Sequence, residues 1–240
     1  MSSIQTHAEA YENQPFSASE KTYFIRNTYL HVALSIGIFA ILTALLVNSP
    51  FGKIFTVFTL SNQFVWLGVL FLFAGISWVA DKWARSDTSK TLQYLGLGLY
   101  IVLESIIFTP MLFIANAVAP GAISIAGFLT LFLFAGLTAV AFLSGKDFSF
   151  LRGFLSLGFF IVAGIILASA IFGPLTSTLS LILSGGMILF AGAAILYDTS
   201  NIIRYYRPDQ YVAAALSLFA SVALLFWYIL QFILNFSSRK

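Results

Sequence analysis

Seven long apolar runs separated by short polar breaks make up most of this chain. A hydrocarbon core of about 30 Å takes roughly 20 apolar residues of helix to cross, so each run is predicted to be a membrane span. The first runs from about Leu30 to Val47 and stops at Asn48, Ser49 and Pro50. The second covers Phe64 to Ala80 and closes on the charged stretch DKWARSDTSK. Tyr94 to Ala115 is the third, Ala122 to Leu143 the fourth, Phe154 to Phe172 the fifth, Leu179 to Tyr197 the sixth and Tyr211 to Phe236 the seventh. Every connection reads as short, which makes successive helices antiparallel neighbours in one bundle and leaves no room for a soluble domain. The expected fold class is an all-α integral membrane protein, a seven-helix bundle over residues 23–240 behind a flexible cytoplasmic tail of residues 1–22. That tail mixes small, polar and acidic residues and lacks the basic start and apolar core of a cleaved signal.

Composition points the same way. Of 240 residues, 60% are hydrophobic and 9% charged, against roughly 45–50% and about 25% in a soluble domain. Mean hydropathy is +0.95. The net charge of +3 is a matter of orientation. Lys21, Arg26, Lys82, Arg85, Lys90, Lys146, Arg152, Arg204 and Arg207 fall in the tail and the even-numbered connections, against Lys53, Arg239 and Lys240 on the other side. This bias places the N-terminus in the cytoplasm, with the cell inner membrane as the expected location. A re-entrant seventh segment would return Arg239 and Lys240 to the cytoplasmic side and satisfy the same rule.

Several chemistries are excluded at once. With no cysteine there is no thiol catalysis, thiolate-bound zinc or disulfide. Two histidines, His7 and His31, do not build a metal site of the usual kind. A P-loop, a dinucleotide fingerprint and a nucleophile elbow are all missing, so the chain is read as no enzyme and as needing no cofactor. Bilayer orientation accounts for the basic excess, which leaves the lipid bilayer as the partner the composition demands and no role for nucleic acid.

Two acids interrupt the apolar runs. An ionised side chain inside a bilayer costs at least about 2.5–3.5 kcal/mol even on lenient scales, so each needs a reason. Glu104 sits near the middle of the third run, with Pro110 further along it. It reads either as a protonated acid bonded to a neighbouring hydroxyl or as a titrating group on an ion or proton path. Asp198 ends the sixth run and precedes Thr199, Ser200 and Asn201. It reads either as an interfacial acid paired with a loop cation or as a latch that holds a cation, an arginine or a lysine and releases it on protonation.

The segment AAILYDTSNII at 193–203, followed by YVAAALSLFASVALLFWYIL at 211–230, resembles the signature region of the Bax inhibitor 1 family. FIRNTYL at 24–30 and ESIIFTP at 104–110 support the resemblance. It implies a seven-helix bundle with a central seventh helix, and a calcium or cation leak controlled by pH through two aspartates at the cytoplasmic ends of the sixth and seventh helices. The first aspartate matches Asp198, and the second falls at Ser221. An arginine that the family uses as latch partner aligns best with Lys82, with Arg85 as the alternative. A glutamate expected earlier in that helix falls at Phe71 and Leu72 and is absent. The pattern is similar to the bacterial YccA-like branch, which implies a membrane-bound AAA protease as a second kind of partner, with the chain as its non-conducting modulator or substrate.

Overall fold

A computed structural model describes residues 17–237 of the chain. Residues 1–16, which hold most of the tail read from sequence, lie outside the described residues. Eight α-helices follow in order: α1 (Ala18–Val47), α2 (Pro50–Leu60), α3 (Gln63–Ala84), α4 (Lys90–Val118), α5 (Ala122–Ser144), α6 (Leu151–Phe172), α7 (Ser177–Arg204) and α8 (Tyr211–Ser237), with a 3₁₀ turn over Pro208–Gln210. No strand occurs among the described residues. All except α2 are long and apolar enough to cross a membrane, so the protein is a multi-pass, all-α membrane bundle.

Local chemistry sets the helix ends. Ser17 and Glu20 form a reciprocal capping box at the start of α1. The side chains of Ser49, Asn62, Ser89 and Thr176 each accept a hydrogen bond from a first-turn amide of α2, α3, α4 and α7. Gly121, Gly145 and Gly173 take positive φ angles at turns beside α5 and α6, where a side chain would be strained. Inside the spans, Thr43, Ser105, Thr109 and Thr130 return their hydroxyls to carbonyls of the preceding turn, which satisfies them without water.

Three details of the sequence reading change. The connection after the first span is no short loop: α2 folds there as an apolar helix of 11 residues and packs on α3 and α4. The helix α1 begins at Ala18, so residues 18–22 are helical rather than part of a flexible tail. The last segment runs unbroken for 27 residues, about 40 Å of helix, long enough to span and without the break that a re-entrant hairpin needs.

Burial is uneven. The α3 and α6 helices have only 6% of their apolar windows shielded by protein, against 67% for the last span. The α8 helix packs against α1, α3, α4, α5 and α7, and its Leu218, Phe219, Leu225 and Leu230 are fully buried. Where α3 crosses α4 the backbones touch at Gly96, because a Cβ there would lie 2.4 Å from the Ala80 carbonyl oxygen.

Candidate functional site

The spans alternate in direction, which gathers the starts of α1, α4, α6 and α8 and the ends of α3, α5 and α7 at one end of the bundle, here termed the basic end. Asp198 lies almost two turns before α7 finishes there. Ser221, on the facing stretch of α8, donates its hydroxyl proton to Asp198 Oδ2 at 2.5 Å. Ser221 is buried, while Asp198 is partly buried.

One turn towards the basic end from Ser221 stands Ser217, and it meets a cation. Arg85, which caps the end of α3, donates Nη2 to Ser217 Oγ at 3.0 Å and Nη1 to the Tyr206 hydroxyl at 3.4 Å. Its Nε reaches both carboxylate oxygens of Asp81 at 2.9 Å. The guanidinium therefore ties α3 to α8 and to the chain after α7, and its charge acts on Asp198 from one turn away. Among the described residues, neither Asp198 nor Glu104 takes part in an ion pair.

The residues singled out in the sequence thus divide. Asp198 and Ser221 meet, and Arg85 is their neighbour. Lys82 does not join them, because its Nζ lies 5.4 Å over the Trp78 ring. Glu104 stays on α4, buried at 7% exposure, with the Tyr100 hydroxyl as its polar neighbour. Tyr100 itself lies within electrostatic reach of Glu104, Asp81 and Asp198. No group of three or more His, Cys, Asp or Glu side chains capable of holding a metal ion occurs among the described residues.

A cavity of about 740 Å³ is lined by Tyr100, Glu104 and Ser221 of these residues. It lies between α3, α4, α6, α7 and α8, and Gln63, Pro174 and Gln231 line it towards the end away from the basic residues. Its lining continues past Glu104 to Tyr100 and Ser221. Ser221 accordingly both lines the cavity and partners Asp198.

The basic end itself is closed by cross-links that the sequence reading did not foresee. Arg207 pairs with Asp87 at 2.5 Å and with Asp209 at 3.3 Å. Lys90 donates to the Asp209 carbonyl and lies 4.6 Å over the Tyr211 ring. Arg204 Nη2 donates to the Gly145 carbonyl at 2.5 Å. Asp147 accepts from the Tyr205 hydroxyl at 2.5 Å, from the Ser149 amide at 2.9 Å and from Ser200 at 3.3 Å. These donors, Tyr205 foremost, hold the Asp147 carboxyl down to about 2. Of the missed residues, Asp81 carried a readable signal: it precedes Arg85 by four positions, the spacing of a helical ion pair.

The fold and site define a seven-span membrane protein with an acid-containing cavity beside a polar cluster. The family model described as inhibitor of apoptosis-promoting Bax1 matches residues 21–239. A protein named Bax inhibitor 1 from Schizosaccharomyces pombe is 33% identical over 81% of this chain and 73% of its own length. An uncharacterized protein of Pseudomonas aeruginosa and an uncharacterized membrane protein of Vibrio cholerae are each 31% identical, over 86% of both chains. The chain belongs to the Bax inhibitor 1 family.

Proposed function

We propose that this protein is a pH-sensitive cation leak of the cell inner membrane, with a cytoplasmic N-terminus and calcium among the ions it passes. The observation that carries this reading is the double role of Ser221, which lines the cavity holding Glu104 and is hydrogen-bonded to Asp198. A cation entering from the end lined by Gln63 and Gln231 meets Glu104 near the middle of the bundle, then the Ser221–Asp198 pair. Beyond it, on the way to the basic end, stand Arg85, Asp81, Ser217 and Tyr206.

Asp198 acts in this scheme as the titrating latch. Ionised, it draws the Arg85 guanidinium from Ser217 towards Ser221 and places a fixed positive charge where a permeant cation must pass. Protonated, it has no hold on Arg85, which rests on Asp81 instead. Flux therefore rises as pH falls. One carboxylate beside a serine supplies few oxygen ligands, whereas calcium prefers six to eight. This suits passage better than storage.

Ion flux into proteoliposomes carrying the purified chain tests the reading. Asp198→Asn is expected to conduct with its pH dependence lost, and Arg85→Gln to leak more at neutral pH. Equal flux from wild type and Asp198→Asn at every pH removes the latch, and flux no greater than through empty vesicles removes the leak.

A further inference from the structure

The cavity beside α4 is built for more than an inorganic ion. Its walls carry the rings of Trp66, Phe73, Tyr100, Phe108, Trp227 and Tyr228. Trp227 stands edge-on to Phe108 with ring centroids 4.8 Å apart, so part of this aromatic wall is packed in place before anything enters. Glu104 is the acid on the wall, and no lysine, arginine or histidine lines the cavity among the described residues. At about 740 Å³ it falls within the roughly 300–1,000 Å³ of sites that take small organic molecules.

Calcium or magnesium asks for several oxygen ligands and gains little from rings. A soft cation with an apolar body asks for the opposite. Aromatic faces attract it, most strongly where water is excluded, and one carboxylate neutralises it. We infer that this cavity is a binding site for a lipophilic organic monocation of the quaternary ammonium or phosphonium kind, with its charge towards Glu104 and its apolar groups among the rings. Such a molecule partitions into the bilayer first. It reaches the cavity from the end lined by Gln63 and Pro174, beside the seam of α3 and α6, the two spans with the smallest buried share.

The inference goes beyond the proposed leak and does not rest on it, since a bundle that conducts nothing would bind the same cation. The test uses the full chain in nanodiscs of uncharged phosphatidylcholine, with tetraphenylphosphonium as probe and neutral triphenylphosphine oxide as its control, both followed by equilibrium dialysis. Wild type is expected to bind one phosphonium per chain, saturably and at least about tenfold more tightly than the oxide. Glu104→Gln is expected to lose that preference and Glu104→Asp to keep it. Absence of saturable binding, equal affinity for cation and oxide, or an unchanged preference in Glu104→Gln overturns the inference. Because the two probes are compared on wild type, the result stands even if Glu104→Gln fails to fold.

Discussion

Ser217 and Ser221 stand one turn apart on α8 and face opposite charges: Arg85 Nη2 donates to the first at 3.0 Å, and the second donates to Asp198 Oδ2 at 2.5 Å. Four residues of helix separate them by about 6 Å. An arginine and an aspartate therefore rest on neighbouring rungs of one helix without pairing, and Asp81 supplies the arginine's carboxylate.

Ser221→Ala removes the donor to Asp198 and leaves a partly buried carboxyl short of one bond. Such a loss costs about 1–3 kcal/mol. The expected outcome is a lower thermal midpoint of the purified chain in detergent, with Ser221→Thr, which keeps the hydroxyl, recovering most of it.

The Arg85–Asp81 pair is half exposed, at 46% and 37% of its side chains. Ion pairs of this kind contribute little alone, about 0.3–0.5 kcal/mol for the i,i+4 spacing. A double-mutant cycle of Arg85→Gln with Asp81→Asn is expected to show coupling in that small range. Coupling several times larger would mean that Asp81 does more than hold the guanidinium on its own helix.

Gly96→Ala puts a methyl group 2.4 Å from the Ala80 carbonyl oxygen and 2.5 Å from the Ala84 nitrogen. Both atoms are backbone and have no rotamer to retreat into, so the cost is expected to reach about 1–3 kcal/mol or more. Gly98→Ala, two residues along α4, has open space around it and is expected to leave the unfolding midpoint unchanged or slightly raised.

Asp147 ties the connection between α5 and α6 to the end of α7, and its carboxyl is lowered from 3.8 to about 2 in the folded chain. A depressed folded value means that its contribution is fully present above the unfolded value and is lost as pH falls through the folded one. The stability difference between wild type and Asp147→Asn is thus expected to hold at neutral pH and to vanish as the pH falls towards about 2. A difference independent of pH would mean that the tie does not depend on the charge.

The spans and the two intramembrane acids were legible from order along the chain alone, because the bilayer imposes one requirement on every crossing segment. A run of about 20 apolar residues has to be helical where no water can satisfy its backbone, and a carboxyl inside such a run stands out for its cost. That is why Glu104 and Asp198 were found without any knowledge of neighbours. The short α2 escaped for the same reason: at 11 residues it is too brief to cross, so the rule that finds spans is silent about it.

What tertiary structure alone decided is which polar groups meet. Lys82 and Arg85 lie three residues apart, and either could serve Asp198 by position in the sequence. The rotation and tilt of α3 against α8 sent Arg85 to Ser217 and Lys82 out over Trp78. The cavity, its aromatic wall and the placing of Ser221 on its lining arise from five helices, α3, α4, α6, α7 and α8, brought together across more than a hundred residues of chain. Hydropathy constrains how deep each residue lies in the membrane, whereas side-chain packing between helices sets which way it faces.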